Sequence, residues 1–325
     1  MNGVTRNGIA VAGTALVDTI CDIAAYPNCG ELTQIRDITH SVGGCVPNVT
    51  MDLKTIRPEL PVCAVGKVGS DDNGDFLIET LKKAGINCCG ITKARDERTS
   101  FTDVMSVVGG QRTFFTFAGA CASFGYDDVP FDDIDSKILL LGYFLLLQKV
   151  DNGDGIHILR EAQQRGIKTA IDLVSDNSNR YSLVLPCLQF TNYLIVNEIE
   201  AGHLADMEPT DDNLPRIAER LRKLGVKDKV IIHKPDRAVC LSDEGFTAVG
   251  SYQLPDGYIK GTTGAGDAFC AGALIGLHSD WSDKQILEFA SAAAAVSLSS
   301  TDAVSGLKSE EEIFKACQGW KRLSV

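Results

Sequence analysis

From residue 138 onward, short apolar runs alternate with stretches of helical spacing. The runs 138–141, 169–173, 193–196 and 230–233 are rich in Ile, Leu or Val and read as buried strands. Between them, 155–165 and 214–224 read as helices closed by Gly166 and Gly225. Glycine takes the left-handed turn after a last helical residue without steric penalty. Strands separated by such helices cross over instead of folding back as hairpins, so they predict a parallel, doubly wound sheet flanked by helices. Residues 238–242 and 246–252 predict a hairpin around Asp243-Glu244-Gly245, and two helices follow at 265–279 and 283–299.

The N-terminal part keeps this order less strictly. Residues 9–13 and 62–68 predict strands, and 46–56 and 72–83 predict helices, the second stopped by Gly85. Two β-rich excursions do not fit the parallel sheet. One covers about 14–44; the other covers 99–117, where 99–108 and 113–117 flank Gly109-Gly110 as a hairpin. Paired, they predict a small β lid. The chain has no repeat, low-complexity tract or linker, so residues 1–325 are expected to form a single domain that carries this lid.

Composition closes several routes. At 44% apolar, the 325 residues can bury a sizeable core. A net charge of −12 argues against nucleic acid or a membrane surface as partner. The apolar stretch 9–17 contains Gly13 and ends at Asp18, too short and punctuated to span a bilayer. Eleven scattered cysteines, an odd number without a C-x-x-C pair, and five histidines predict neither a zinc site nor a disulfide framework. Reduced thiols of this kind suit a cytoplasmic protein, and the sequon Asn48-Val49-Thr50 is then accidental.

The chemistry gathers at 260–269, KGTTGAGDAF. Gly264, Ala265, Gly266 and Asp267 fall on the turn into a helix, whose first N–H groups have no internal partner and carry partial positive charge. A phosphate can take those N–H groups as ligands, and glycine lets it approach. Ala268, Gly272 and Gly276, spaced by four, read instead as a face for close helix packing. By itself Asp267 reads equally as a helix cap or as a base. Asn197 and Glu200 stand after a strand, where α/β sheets bind ligands; they also read as a capping box.

GTTGAGDAF resembles the C-terminal signature of the ribokinase-like (PfkB) carbohydrate kinases, D-T-x-G-A-G-D. Four further blocks are similar to family motifs and come in the family's order: Ser41 to Asn48 (SVGGCVPN), Val65 to Gly74 (VGKVGSDDNG), Gln111 to Phe115 on a lid strand, and Val196 to Ala201 (VNEIEA). The resemblance covers nearly the whole chain. It implies a ribokinase-like, doubly wound, mainly parallel sheet flanked by helices with a small β-sheet lid. It also implies an ATP-dependent kinase acting on a hydroxymethyl group of a sugar or sugar acid. Asp267 would then accept the proton of that hydroxyl, as an ionised and weak base, and Gly264, Ala265 and Gly266 would form the anion hole. Asp18, Gly43, Gly44, Asn48 and Asp103 would meet the sugar, with Thr102 beside Asp103. Asn197, His233, Pro235 and Ser291 would meet the nucleotide, and Glu200 with Asn197 would organise Mg²⁺ through water. A homodimer through the lid is compatible with the resemblance.

The sequence also departs from the pattern. Gly261 replaces the signature's first Asp, which puts a monovalent cation site in doubt. Pro235 and Ala238 stiffen a nucleotide loop that in relatives carries glycines. Ser291 and Cys121 stand where relatives have Asn, and Lys234 and Arg112 read as surface cations. A nucleoside kinase, or a non-catalytic sensor that retains the fold, remains as the alternative.

Overall fold

In chain order the strands are β1 (Ile9–Ala12), β2 (Leu16–Ile23), β3 (Ile35–Gly43), β4 (Val62–Gly69), β5 (Asn87–Ala94), β6 (Ser100–Val107), β7 (Arg112–Phe117), β8 (Ile138–Phe144), β9 (Lys168–Leu173), β10 (Tyr193–Asn197), β11 (Lys229–Lys234), β12 (Arg237–Ser242) and β13 (Gly245–Gly250). The α-helices are α1 (Cys45–Ile56), α2 (Asp72–Lys83), α3 (Gly155–Gln164), α4 (Glu198–Ala205), α5 (Leu214–Lys223), α6 (Ala265–His278), α7 (Asp283–Ser297) and α8 (Glu310–Cys317). This computed structural model describes residues 6–107, 112–175 and 179–325. The Gly109-Gly110 turn and Gln111 lie outside the described residues.

Nine strands form one sheet in the order β13-β12-β11-β10-β9-β8-β1-β4-β5. Pairing is parallel from β5 across to β11 and antiparallel only for β12 and β13. Central strands are mostly apolar because helices cover both faces, and β1 is wholly so. Ile9 and Val11 join a core with α1, α6 and α7, whereas Ala10 and Ala12 join one with α3, α4 and α5. The two excursions pair as foreseen into a second sheet of four strands, β3-β2-β6-β7, which is the lid.

From β1 the chain builds outward to β4 and β5, then returns to β8 on the other side of β1 and continues to β13. Strand order reverses between β1 and β8. Crossovers diverge there and leave a crevice beyond the carboxyl ends of the strands, where such sheets bind ligands.

Helix punctuation follows the sequence reading. Gly85, Gly166 and Gly225 all have positive φ, at 76°, 76° and 128°. On α6, a Cβ on Gly272 would stand 2.9 Å from the Cα of Ala290, so the small-residue face does let α6 and α7 close together. Strand β5 and helix α8 escape the sequence reading. Cys88-Cys89-Gly90 interrupts the strand pattern of β5, an edge strand. Helix α8 buries only Ile313 and Cys317, one turn apart. Among the described residues no helix is long and apolar enough to cross a membrane.

Candidate active site

Asp267 lies in the first turn of α6 and is only 6% exposed. Its carboxylate accepts hydrogen bonds from Asn48 Nδ2 at 3.0 Å and from the Tyr143 hydroxyl, which lies 3.0 and 2.9 Å from Oδ1 and Oδ2. Burial pushes the carboxyl up to about 6, from an ordinary 3.8, and these two bonds pull it part of the way back. The expectation of a weak base therefore needs correction. Desolvation outweighs the stabilisation expected from the helix terminus and makes Asp267 a stronger base, still mostly ionised at neutral pH.

Gly264 caps α6 in the left-handed region with φ 80°. A Cβ there would stand 2.5 Å from the Cα of Ala303. Gly266 is different: a Cβ on it would meet only His233 Cε1, at 4.0 Å, so its missing side chain is open space on the cavity wall. The Ala265 N–H turns back to the Thr262 carbonyl at 3.3 Å, leaving Gly264 and Gly266 as the members of the trio that face the Asp267 cavity.

Two cavities meet at Gly266. One of about 280 Å³ is lined by Asp267, Tyr143, Asp172, Glu200 and Gly264. The other, about 560 Å³, is lined by Pro235, Tyr252, Phe269 and Ser291. Asn197, His233 and Gly266 line both. The walls of the larger one are mainly apolar, with Lys234 and Arg237 at one side and an unpartnered buried hydroxyl, Ser291 Oγ, and so suit a flat heterocycle with few polar contacts. His233 packs on Phe269 with ring centroids 4.5 Å apart, and burial lowers its imidazole to about 4, so it borders both cavities uncharged. Lys234, on the wall of the larger cavity, pairs with Asp211 at 2.6 Å and Asp236 at 3.2 Å.

On the lid side, Asp18 is partly buried on β2, and burial pushes its carboxyl up to about 6. Gly43 leaves room for it: a Cβ there would come within 3.0 Å of Asp18 Cγ. Gly44 caps α1 with φ 87°, and Asn48 follows one turn later, its Oδ1 buried and unpartnered. Asn48 thus joins Asp267 and keeps one unused acceptor. Asp103 does not join this group. Strand β6 pairs Thr102 with Asp18 and Asp103 with Thr19, and successive side chains of a strand point to opposite faces. Asp103 is therefore on the far face of the lid, and Thr102 is the residue on the face of Asp18.

Asn197 and Glu200 form the foreseen capping box: Asn197 Oδ1 accepts from the Glu200 N–H at 2.9 Å, and Glu200 Oε2 from the Asn197 N–H at 3.1 Å. Ser175 Oγ donates to Glu200 Oε1 at 3.0 Å. Burial raises the Glu200 carboxyl against these bonds. Asp172, at the end of β9, is the acidic residue the sequence reading missed. Burial and then the charges of Glu200 and Asp267 hold it well above the ordinary carboxylate range. A charged residue at the carboxyl end of an otherwise buried strand was the available signal. Cys121 is structural: its thiol donates to the Ala15 carbonyl and accepts from the Ala15 N–H, both at 3.3 Å. At Gly261, a Cβ would lie 3.0 Å from Ser300 O and from Thr301 Cα, so that loop occupies the space an Asp would need.

The family model for pfkB family carbohydrate kinases matches residues 7–310. The chain belongs to that family. It is 23% identical over 311 residues to a ribokinase of Arabidopsis thaliana, covering 94% of this chain and 80% of that protein. It is 24% identical over 279 residues to a 5-dehydro-2-deoxygluconokinase of Clostridium perfringens, covering 83% and 81%. Among solved structures, Arabidopsis thaliana ribokinase complexed with ribose and ATP superposes with a TM-score of 0.81 at 21% identity, over 97% of this chain and 99% of that one. The protein is a sugar kinase with the ribokinase fold.

Proposed function

We propose that the chain transfers the γ-phosphate of ATP to a hydroxymethyl group of a sugar or sugar acid. One observation carries this reading. Asp267, a buried carboxylate of raised basicity, stands beside the open face of Gly266 at the junction of two cavities. The larger cavity takes the nucleotide, with Ser291 at the base and Pro235 and His233 along its wall. Asp18 and the free Oδ1 of Asn48 take sugar hydroxyls, an arrangement that suits two acceptors facing two donors. The acceptor oxygen attacks the γ-phosphorus as its proton passes to Asp267 Oδ, and the bond to the β-phosphate oxygen breaks to release ADP. Amides at Gly264 and Gly266 face the charge that spreads over the transferring group.

Among the described residues no three His, Cys, Asp or Glu side chains are close enough to cage a metal. Mg²⁺ keeps water and binds through one or two carboxylates and phosphate oxygens. Glu200, with Asn197, would hold it, and the acidic cavity wall they share with Asp172 suits a cation. When bound, the ion neutralises charge on the phosphates. Gly261 and the loop against it favour a kinase that needs no added monovalent cation.

The test is ADP release from Mg-ATP with a panel of sugars, sugar acids and nucleosides. We expect turnover with a sugar or sugar acid, and a Glu200→Gln variant that needs more Mg²⁺ to reach half-maximal rate. Turnover with nucleosides alone, or tight ligand binding without turnover, would replace this reading.

We also propose that the lid forms a homodimer. Phe114, Phe115 and Phe117 on β7 are 63%, 57% and 44% exposed, and Ile38 on β3 is 51% exposed. Apolar exposure of this extent on a sheet calls for a cover. Sedimentation should show a dimer that Phe115→Asp turns into a monomer; a monomeric wild type at every concentration would dismiss the idea.

A further inference from the structure

Strand β8 ends in a way that its neighbours do not. Its pairing with β9 runs in step from Ile138↔Lys168 to Leu141↔Ile171 and then jumps to Phe144↔Leu173. One extra residue on β8 has no counterpart on β9. Such a bulge re-aims a side chain, and bulges gather beside active sites. Tyr143 sits in it with φ 57°, and Leu145 follows with φ 79°. For side-chain-bearing residues this is strained backbone, which persists only where the surroundings enforce it. Here they do. Gly142 has no room for a Cβ because Cys45 Sγ fills the place, and Phe144 is fully buried.

The strained turn delivers one result: the Tyr143 hydroxyl reaches both oxygens of Asp267. Asn48 donates to Oδ2 from α1. Two donors on two separate elements fix the plane of the carboxylate. Among the described residues, the other titratable groups around it supply no positive charge. Asp172 comes from β9, Cys45 and Asp52 from α1, Cys270 from the next turn of α6, and Glu200 and the uncharged His233 from across the cavity. Apart from the start of α6, the ionised form of Asp267 therefore depends on its two donors.

We propose that Tyr143 is a positioning residue for the base. It holds the Asp267 carboxylate in the plane that meets the acceptor hydroxyl and keeps it ionised in a desolvated, acidic cavity. This rests on the reading of Asp267 as the base. The phenol itself exchanges no proton with the substrate.

The experiment compares the full chain with its Tyr143→Phe variant, with Tyr143→Leu as a second variant should the first be insoluble. Both proteins carry ¹³C-labelled aspartate carboxyls, and the Asp267 signal is assigned by its loss in Asp267→Asn. We expect the Asp267 titration midpoint to rise by about one pH unit when a hydrogen bond to a charged group is removed. The acid limb of kcat/KM for the sugar should move up with it, so that the variant loses more activity at pH 6 than at pH 9. An unchanged midpoint, or an equal loss of activity at every pH, overturns the proposal. A raised midpoint in a protein that phosphorylates no acceptor upholds the contact and removes the kinase reading instead.

Discussion

Asp267→Asn should lower kcat by about 10²–10⁴-fold, the range set by loss of a positioned general base. Nucleotide affinity should stay within a few-fold, because the larger cavity is lined by other residues. The asparagine keeps the shape and the contacts with Asn48 and Tyr143 but cannot take a proton. On the proposed mechanism the working form in the wild type is the carboxylate. Its pKa is raised to about 6, so kcat/KM should fall as pH drops through 6 and level off above 7. Stability runs the opposite way. A carboxyl whose folded pKa exceeds its unfolded value binds its proton more tightly in the folded protein, so folding loses free energy as pH rises from about 4 to 6. The asparagine variant escapes that loss. It should melt at least as high as the wild type at pH 8, with the advantage shrinking toward pH 4. A variant that loses activity only because it melts earlier would remove Asp267 from the mechanism, as would turnover unaffected by the substitution.

What could be read in advance follows a physical division. Buried strands such as 138–141 and 193–196 show as apolar runs because helices cover both faces of the sheet. Helix ends at Gly85, Gly166 and Gly225 show because only glycine takes their positive φ without strain. Gly264, Gly266 and Asp267 stood out as a local pattern, since a helix terminus and the residues around it are adjacent in the chain, whereas Asn48 was named only through the family resemblance. Features set by register were not. Asp103 was placed with the sugar because it sits on a lid strand, but which face it shows depends on its pairing with Thr19. Tyr143 depends on a bulge that exists only when β8 and β9 are laid side by side. Asp172 was passed over because a strand pattern hides one polar residue at its end. The basicity of Asp267 also came out wrong, since a sequence gives the helix terminus but not the depth of burial.

Gly264→Ala and Gly266→Ala separate two ways in which a glycine can serve the proposed anion hole. At Gly264 the backbone is left-handed, and an added Cβ would fall 2.5 Å from the Cα of Ala303. That loop cannot easily give. Asp302 Oδ1 accepts from the N–H groups of Val304 at 3.0 Å and Ser305 at 2.7 Å, and its Oδ2 accepts from Ser300 Oγ at 3.0 Å. The start of α6 must therefore shift, taking the amides and Asp267 with it. We expect a stability loss of about 1–3 kcal/mol from strain and overpacking, seen as a lowered Tm, and a fall in kcat of about 10²–10³-fold, the scale of losing one donor to developing charge. At Gly266 the same methyl enters open space, with His233 Cε1 at 4.0 Å as its neighbour. Stability should hold or rise slightly, since alanine is the better helix former. Activity should still fall, because the methyl projects into the path between nucleotide and base. Both variants lose turnover and only one loses Tm. If Gly266→Ala turns over at the wild-type rate, the phosphate does not pass this surface and the assignment of the anion hole is wrong.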